Sequence, residues 1–380
     1  MQIGFVSKEK NKSAVLLTQK EYIEAGNYAI SKERLSIIDS IIDYGVFLFW
    51  IIFGFSYLNS QIVVENQTLK AILFLDIFFF INYLFSLPME LYKGFVLDKK
   101  YGFSNLTPKI YLTDFIKSAS MFLIFGNLVI AGIAYIIDSF ANWWIYGFLF
   151  IFFIIIVVNA IYPTLIAPMF NKFKPLEDDV LKQKIEALLT TTGFSSSGIF
   201  SIDASKRDNR LNAYFGGLGK TKRVVLFDTL ISKLTHDELL AVLGHELGHF
   251  KNMDIFKNIA IMGIMLFLFF FIFGNLPIEL FIEVGVPQSS EISIALFLLL
   301  SSPLGFLLLP IINYISRKNE FEADKFASTI KSKNSLITAL KKLVNENKSF
   351  PKSHQMYIFF YYSHPPLLER LDHLEKLHDN

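Results

Sequence analysis

His245-Glu246-Leu247-Gly248-His249 places two imidazoles four residues apart with a carboxylate beside the first. On a helix, residues i and i+4 share a face, so both rings can reach one ion. Glu246 is offset from that face and can act as a base on a water held there. This is the HExxH arrangement of a zinc metalloprotease. A catalytic zinc takes three protein ligands and keeps one position open. The chain has no cysteine, so the third ligand must be a histidine or a carboxylate. Downstream, Glu320 and Asp324 lie one helical turn apart on a shared face, while Glu322 points elsewhere. Glu320 is therefore the expected third ligand. Asp324 is the expected partner for the second ring N–H of a ligand histidine, fixing its tautomer. A developing oxyanion needs a further donor, for which His364, in a Ser-His-Pro-Pro turn, and Tyr214 are candidates. The segment from Asn212 to Phe215 has the composition of a strand that can pair with an extended peptide.

The elements that carry these residues are set by an unusual composition. The 380 residues are 53% hydrophobic and 16% aromatic, with 41 Phe. Six apolar runs are long enough to cross a bilayer: 36–58, 71–91, 118–137, 144–164, 257–276 and 292–315. Apart from Lys70 and Lys257, every Lys and Arg falls before the first run, between the second and third, between the fourth and fifth, or after the sixth. With six spans those four regions lie on one side. The positive-inside rule then puts both termini and the HELGH segment in the cytoplasm. A net charge of +2 without a basic stripe gives no support to nucleic-acid binding.

The fold class expected is an all-α polytopic membrane protein with a small α+β metalloprotease domain. Residues 1–164 hold an N-terminal surface segment, with an amphipathic helix at 19–31, and four spans. Residues 165–256 form the catalytic segment, 257–315 two more spans, and 316–380 the C-terminal helices with the third ligand. Pro163 and Pro168 are expected to break the fourth span. A helix follows at 177–192, then strands at 198–203, 212–217 and 223–228. Thr235 and Glu238 form a capping box that starts the HELGH helix.

Several segments together resemble one family. These are YPTLIAPMFNKFKPL (162–176), LNAYF (211–215) with KRVVLFDTL (222–230), HELGH (245–249), EFEAD (320–324) and SHPPLLERL (363–371). They are similar to motifs of the M48 membrane zinc metalloproteases, and within them of the Ste24-type CAAX prenyl proteases. The resemblance implies that His245, His249 and Glu320 bind one zinc ion and that Glu246 is the catalytic base. It also implies that Asn212, His364 and Arg370 contact the substrate or the transition state. A helical barrel enclosing a water-filled chamber would follow, with a peptide or protein substrate that is prenylated or membrane-associated. Eukaryotic members have seven spans, one more than the six counted here. The composition points to a bacterial inner membrane. Two other readings are a quality-control protease like the HtpX branch and a transporter or structural membrane protein with a vestigial zinc site.

Overall fold

The computed structural model describes residues 1–217 and 222–377. Residues 218–221 of the expected catalytic segment and 378–380 of the expected C-terminal part lie outside the described residues. After a short helix α1 (Gln2–Glu9), four long helices follow: α2 (Gln19–Gln61), α3 (Gln67–Lys100), α4 (Pro108–Ser139) and α5 (Trp143–Phe170). With α9 (Asp254–Gly274) and α11 (Ser290–Ile330), they are the six helices among the described residues that are long and apolar enough to cross a membrane. Each coincides with one of the six apolar runs, and most extend well beyond it. The multi-pass membrane architecture is therefore the expected one.

Two boundaries differ from expectation. The helix anticipated at 19–31 is the first part of α2, not a separate surface element. A Thr18–Glu21 capping box starts it, and no breaker separates residue 31 from the apolar run. Pro163 does not end α5 either. It sits in a π turn at Tyr162–Ile166, and the helix resumes to Phe170. A proline lacks the backbone N–H, and the wider π turn absorbs that loss. Similar π turns interrupt α2, α3 and α4, at Trp50–Gly54, Lys93–Leu97 and Phe122–Gly126.

At one end of the bundle a cluster including Trp50, Phe55, Phe74, Phe78 and Ile292 packs α2, α3 and α11 together. Beside it the carboxylate of Glu291, fully buried, pairs with Lys70 at 3.0 Å. At the other end lies a four-stranded sheet, ordered β1-β2-β4-β3, from β1 (Phe173–Pro175), β2 (Ile199–Ile202), β3 (Ala213–Gly216) and β4 (Arg223–Phe227). β2 and β4 run parallel; the outer pairs are antiparallel. Val224, Val225 and Leu226 of central β4 have no exposed surface, as a strand covered on both faces requires. Helix α6 (Asp179–Thr192) and α8 (His236–Lys251) cover one face, through Leu181, Ile185, Leu239, Leu243 and Leu247. A short helix, α7 (Asp228–Lys233), links β4 to α8.

The remaining helices are α10 (Ile278–Glu283), α12 (Lys333–Glu346), α13 (Gln355–Tyr361) and α14 (Leu367–Lys376). The 93–117 segment is largely helical, and its turn binds the catalytic segment. Asn105 N donates to Arg207 O at 3.0 Å, and Arg207 forks onto Asp114 at 2.7 and 2.8 Å.

Candidate metal centre

Helix α8 begins where the capping box requires. The Thr235 backbone donates to Glu238 Oε2 at 2.8 Å, and the Thr235 hydroxyl accepts from the Glu238 backbone at 3.4 Å. Its leucines face the sheet, which turns Gly244 and Gly248 toward α11. A Cβ on Gly244 would meet Ala327 Cα at 3.6 Å, whereas one on Gly248 would meet Ala323 Cα at 2.8 Å and Ala323 O at 3.0 Å. The two helices therefore cross antiparallel with backbone nearly in contact at Gly248. That approach carries the chemistry of α8 onto that of α11.

Three side chains converge there. His245 Nε2 and His249 Nε2 are 3.3 Å apart. Glu320 brings Oε2 to 3.4 Å from His245 Nε2 and Oε1 to 3.3 Å from His249 Nε2. A tetrahedral ion with ligand distances of about 2.0–2.1 Å separates its ligand atoms by about 3.3–3.4 Å. The two Nε2 atoms are at that spacing and Glu320 meets each ring through a different carboxylate oxygen, so the three side chains, with one ligand atom each within 4.8 Å of the others, can hold one such ion. Glu320 Oε2 is buried and has no hydrogen-bond partner among the described residues, as an atom reserved for a cation would be.

Each ring is also gripped from behind. His245 Nδ1 lies 2.9 Å from Asp324 Oδ1, whose residue is fully buried. Arg370 clamps Asp324 with Nε at 2.8 Å and Nη2 at 2.6 Å. His249 Nδ1 lies 2.9 Å from Asp254 Oδ2, and Lys257 Nζ holds the other oxygen at 2.8 Å. Such carboxylates fix the tautomer that leaves Nε2 toward the ion. In the protein alone, burial pushes His245 down, but the Asp324 and Glu320 carboxylates beside its ring outweigh this and lift it to about 9. His249 is raised too: burial opposes, and the bond to Glu320 prevails.

The other expected residues are placed as follows. His364 Nδ1 lies 2.8 Å from Glu320 Oε1, and its side chain is otherwise exposed. A cavity of about 180 Å³ opens on the cluster, bordered by Asn212, Glu246, His364 and Arg370 with apolar walls from Val242 and Leu340. Tyr214 is not part of it. Ala213 and Phe215 point to the α8 side of the sheet, so Tyr214 points away and packs with Ile202, Ala204 and Val225. Two residues with evident positions here carry no sequence signal. Asp254 follows Met253, whose φ of 58° turns the chain back under His249. Asn347 clamps the backbone of Leu211, accepting from its N at 2.9 Å and donating to its O at 3.3 Å.

Comparison with known proteins adds a lineage. The family described as Peptidase family M48 matches residues 175–378, and CAAX prenyl protease N-terminal, five membrane helices, matches residues 4–172. Over that stretch this chain has four candidate spans. The CAAX prenyl protease 1 of Saccharomyces cerevisiae is 32% identical, covering 94% of this chain and 86% of that protein. The Arabidopsis thaliana CAAX prenyl protease 1 homolog is 35% identical over 97% of this chain and 88% of its own length. A crystal structure of S. mikatae Ste24p superposes with a TM-score of 0.91 at 32% identity, covering 98% of this chain and 94% of that one.

Proposed function

The chain belongs to peptidase family M48, joined to the membrane half of the CAAX prenyl proteases, and from that premise we propose that it is a Ste24-type zinc metalloendopeptidase cutting peptide chains at a membrane. The observation that carries the proposal is the convergence of His245, His249 and Glu320 within reach of one ion, with Glu246 beside them on the cavity. His245, His249 and Glu320 would hold the zinc. When bound, it supplies Lewis acidity that polarises the scissile carbonyl and acidifies a water.

The chain's own residues do the rest. Glu246 takes the proton of the attacking water and returns it to the leaving amine. His364, which stands 2.8 Å from Glu320 Oε1 and borders the cavity, is the ring placed to donate to the developing oxyanion. Asp324 and Arg370 hold the His245 ring, while Arg370 also borders the cavity where a substrate backbone would lie. The outer edge of β3, beginning beside Asn212, has no strand partner among the described residues and offers ladder hydrogen bonds to an extended peptide. The apolar walls of the cavity suit an aliphatic side chain next to the cut. The basic-residue distribution supports a cytoplasmic site and cytoplasmic termini, and the richness in Lys, Asn, Ile and Phe supports a bacterial inner membrane. The names of the relatives support a prenylated, membrane-anchored substrate.

The test is Glu246→Gln in purified protein. It is expected to keep one zinc per chain by elemental analysis and to lose cleavage by about 10²–10⁴-fold. Paired peptides with and without a C-terminal prenyl-cysteine, followed by mass spectrometry, resolve the substrate class. Full activity in the Gln variant would exclude the mechanism.

A further inference from the structure

Between His354 and the Pro365-Pro366 turn lies α13, a helix of seven residues in which no side chain is buried. From Ser353 to Leu368 there is no Asp, Glu, Lys or Arg, and Tyr357, Phe359, Phe360, Tyr361 and Tyr362 crowd the middle. A short, uncharged, aromatic helix with Met356, Phe359 and Tyr361 half exposed is costly in water. We propose that α13 is a lipid-facing helix lying in the bilayer interface, and that it anchors the loop bearing His364 to the membrane.

Three observations point to lipid as the occupant. First, α13 packs along the membrane-spanning part of α11. The Phe360 ring stacks on Phe306 with centroids 5.3 Å apart and planes at 5°. Phe306 precedes Glu320 by fourteen residues, about 21 Å along a helix axis. Second, the span on which α13 packs is itself uncovered at this level: Leu307, Ile311 and Tyr314 of α11 are all more than 60% exposed. On the other flank Tyr357 reaches Glu33 of α2 at 2.6 Å.

Third, the backbone is prepared for a place without water. The last carbonyls of a helix lack partners and are ordinarily solvated. Here Asn313 Nδ2 donates to Phe360 O at 2.6 Å, and Arg317 Nη1 donates to Tyr362 O at 2.6 Å and Ile358 O at 3.1 Å. Backbone groups at membrane depth require such internal partners. Tyrosines on a short helix are also the expected residues of the headgroup region. Arg317, one turn before Glu320, thereby ties the metal-bearing stretch of α11 to the residues that lead into His364.

The absence of native cysteine gives a direct test on the full chain. A spin label is placed at Phe359→Cys, or at Met356→Cys on the same face, in vesicles of phosphatidylcholine with phosphatidylglycerol. Leu307→Cys on the span and Glu186→Cys on α6 serve as references. The label on α13 is expected to collide with oxygen and to be shielded from chromium oxalate, as at position 307. Its depth should be about 5–10 Å below the headgroups. Accessibility to chromium oxalate equal to that at position 186 would place the helix in water, inside a chamber or outside, and overturn the proposal. Shielding from both reagents would show that protein covers it, with the same consequence.

Discussion

Replacing Gly248 with alanine adds one methyl group at the closest point between the two helices that carry the metal ligands. The new Cβ would stand 2.8 Å from Ala323 Cα, a shortfall of about 0.6 Å against the 3.4 Å at which ordinary contact begins. Its neighbours are backbone atoms, so no side chain can swing away; α8 and α11 must separate. His245 and His249 ride on one helix and Glu320 on the other. A separation of that size exceeds the roughly 0.2 Å within which metal–ligand distances are held. Overpacking of this kind costs about 1–3 kcal/mol. Falling on the bound state, that weakens metal affinity by about 5- to 150-fold. Gly244→Ala is the control. Its Cβ would sit 3.6 Å from Ala327 Cα, an ordinary contact, so metal affinity should stay within about twofold while the helix gains up to about 1 kcal/mol in propensity. Competition titration against a chromophoric chelator reads both. Equal weakening in the two variants, or unchanged affinity in Gly248→Ala, would refute the reasoning.

Asp254→Ala should weaken metal binding by about 10- to 100-fold, with Asp254→Asn milder because its amide oxygen still accepts from His249; equilibrium dialysis and the absorption of the cobalt-loaded protein check this. Arg370→Ala leaves a fully buried Asp324 without its clamp, so thermal unfolding should show a loss of about 3–5 kcal/mol, partly restored by Asp324→Asn in the same chain. For pH, the sign follows from a folded His245 raised from 6.5 to about 9. In the metal-free protein its protonated form contributes stability that is complete below 6.5 and lost as pH rises through 9. A metal needs both ligand rings neutral, and His249 is raised as well, so affinity should climb by at least about tenfold per pH unit between 7 and 9, with at least one proton released to buffer in calorimetry. Flat affinity over that window would contradict the raised value.

What the sequence revealed about the site was what repeats locally. HELGH and the Glu320/Asp324 pair are i,i+4 patterns on single helices, and a helix brings such residues together without help from the rest of the fold. The capping box at Thr235 is equally local. Asp254 was illegible because its reach to His249 depends on Met253 adopting a left-handed turn that nothing in its side chain demands. Asn347 acts on a strand that lies far earlier in the chain, a contact only the tertiary fold creates. Tyr214 shows a subtler limit: alternation makes Ala213 and Phe215 share a face, but which face meets α8 is decided by packing. The membrane helices were legible from length and apolarity, whereas α13, with seven residues, was too short for a span and lacked a polar face to mark it as soluble. The two lysines outside the basic-residue pattern, Lys70 and Lys257, each have a carboxylate partner, Glu291 and Asp254.

Helix α11 runs for 41 residues, about 60 Å, some twice the thickness of a bilayer's hydrocarbon core, with Pro303 and Pro310 inside its membrane part. Its far end is pinned by the buried Glu291–Lys70 pair, and Glu320 stands about 45 Å from that pin along the axis. Tilt of the span is transmitted along the helix to the end that bears Glu320, where α8 packs against it. One degree of tilt moves Glu320 sideways by about 0.8 Å over that arm, comparable to the shift that one added methyl group would force. Spans answer changes in bilayer thickness by tilting. Activity is therefore expected to track acyl-chain length in vesicles of graded bilayer thickness, without any ligand binding to the catalytic segment.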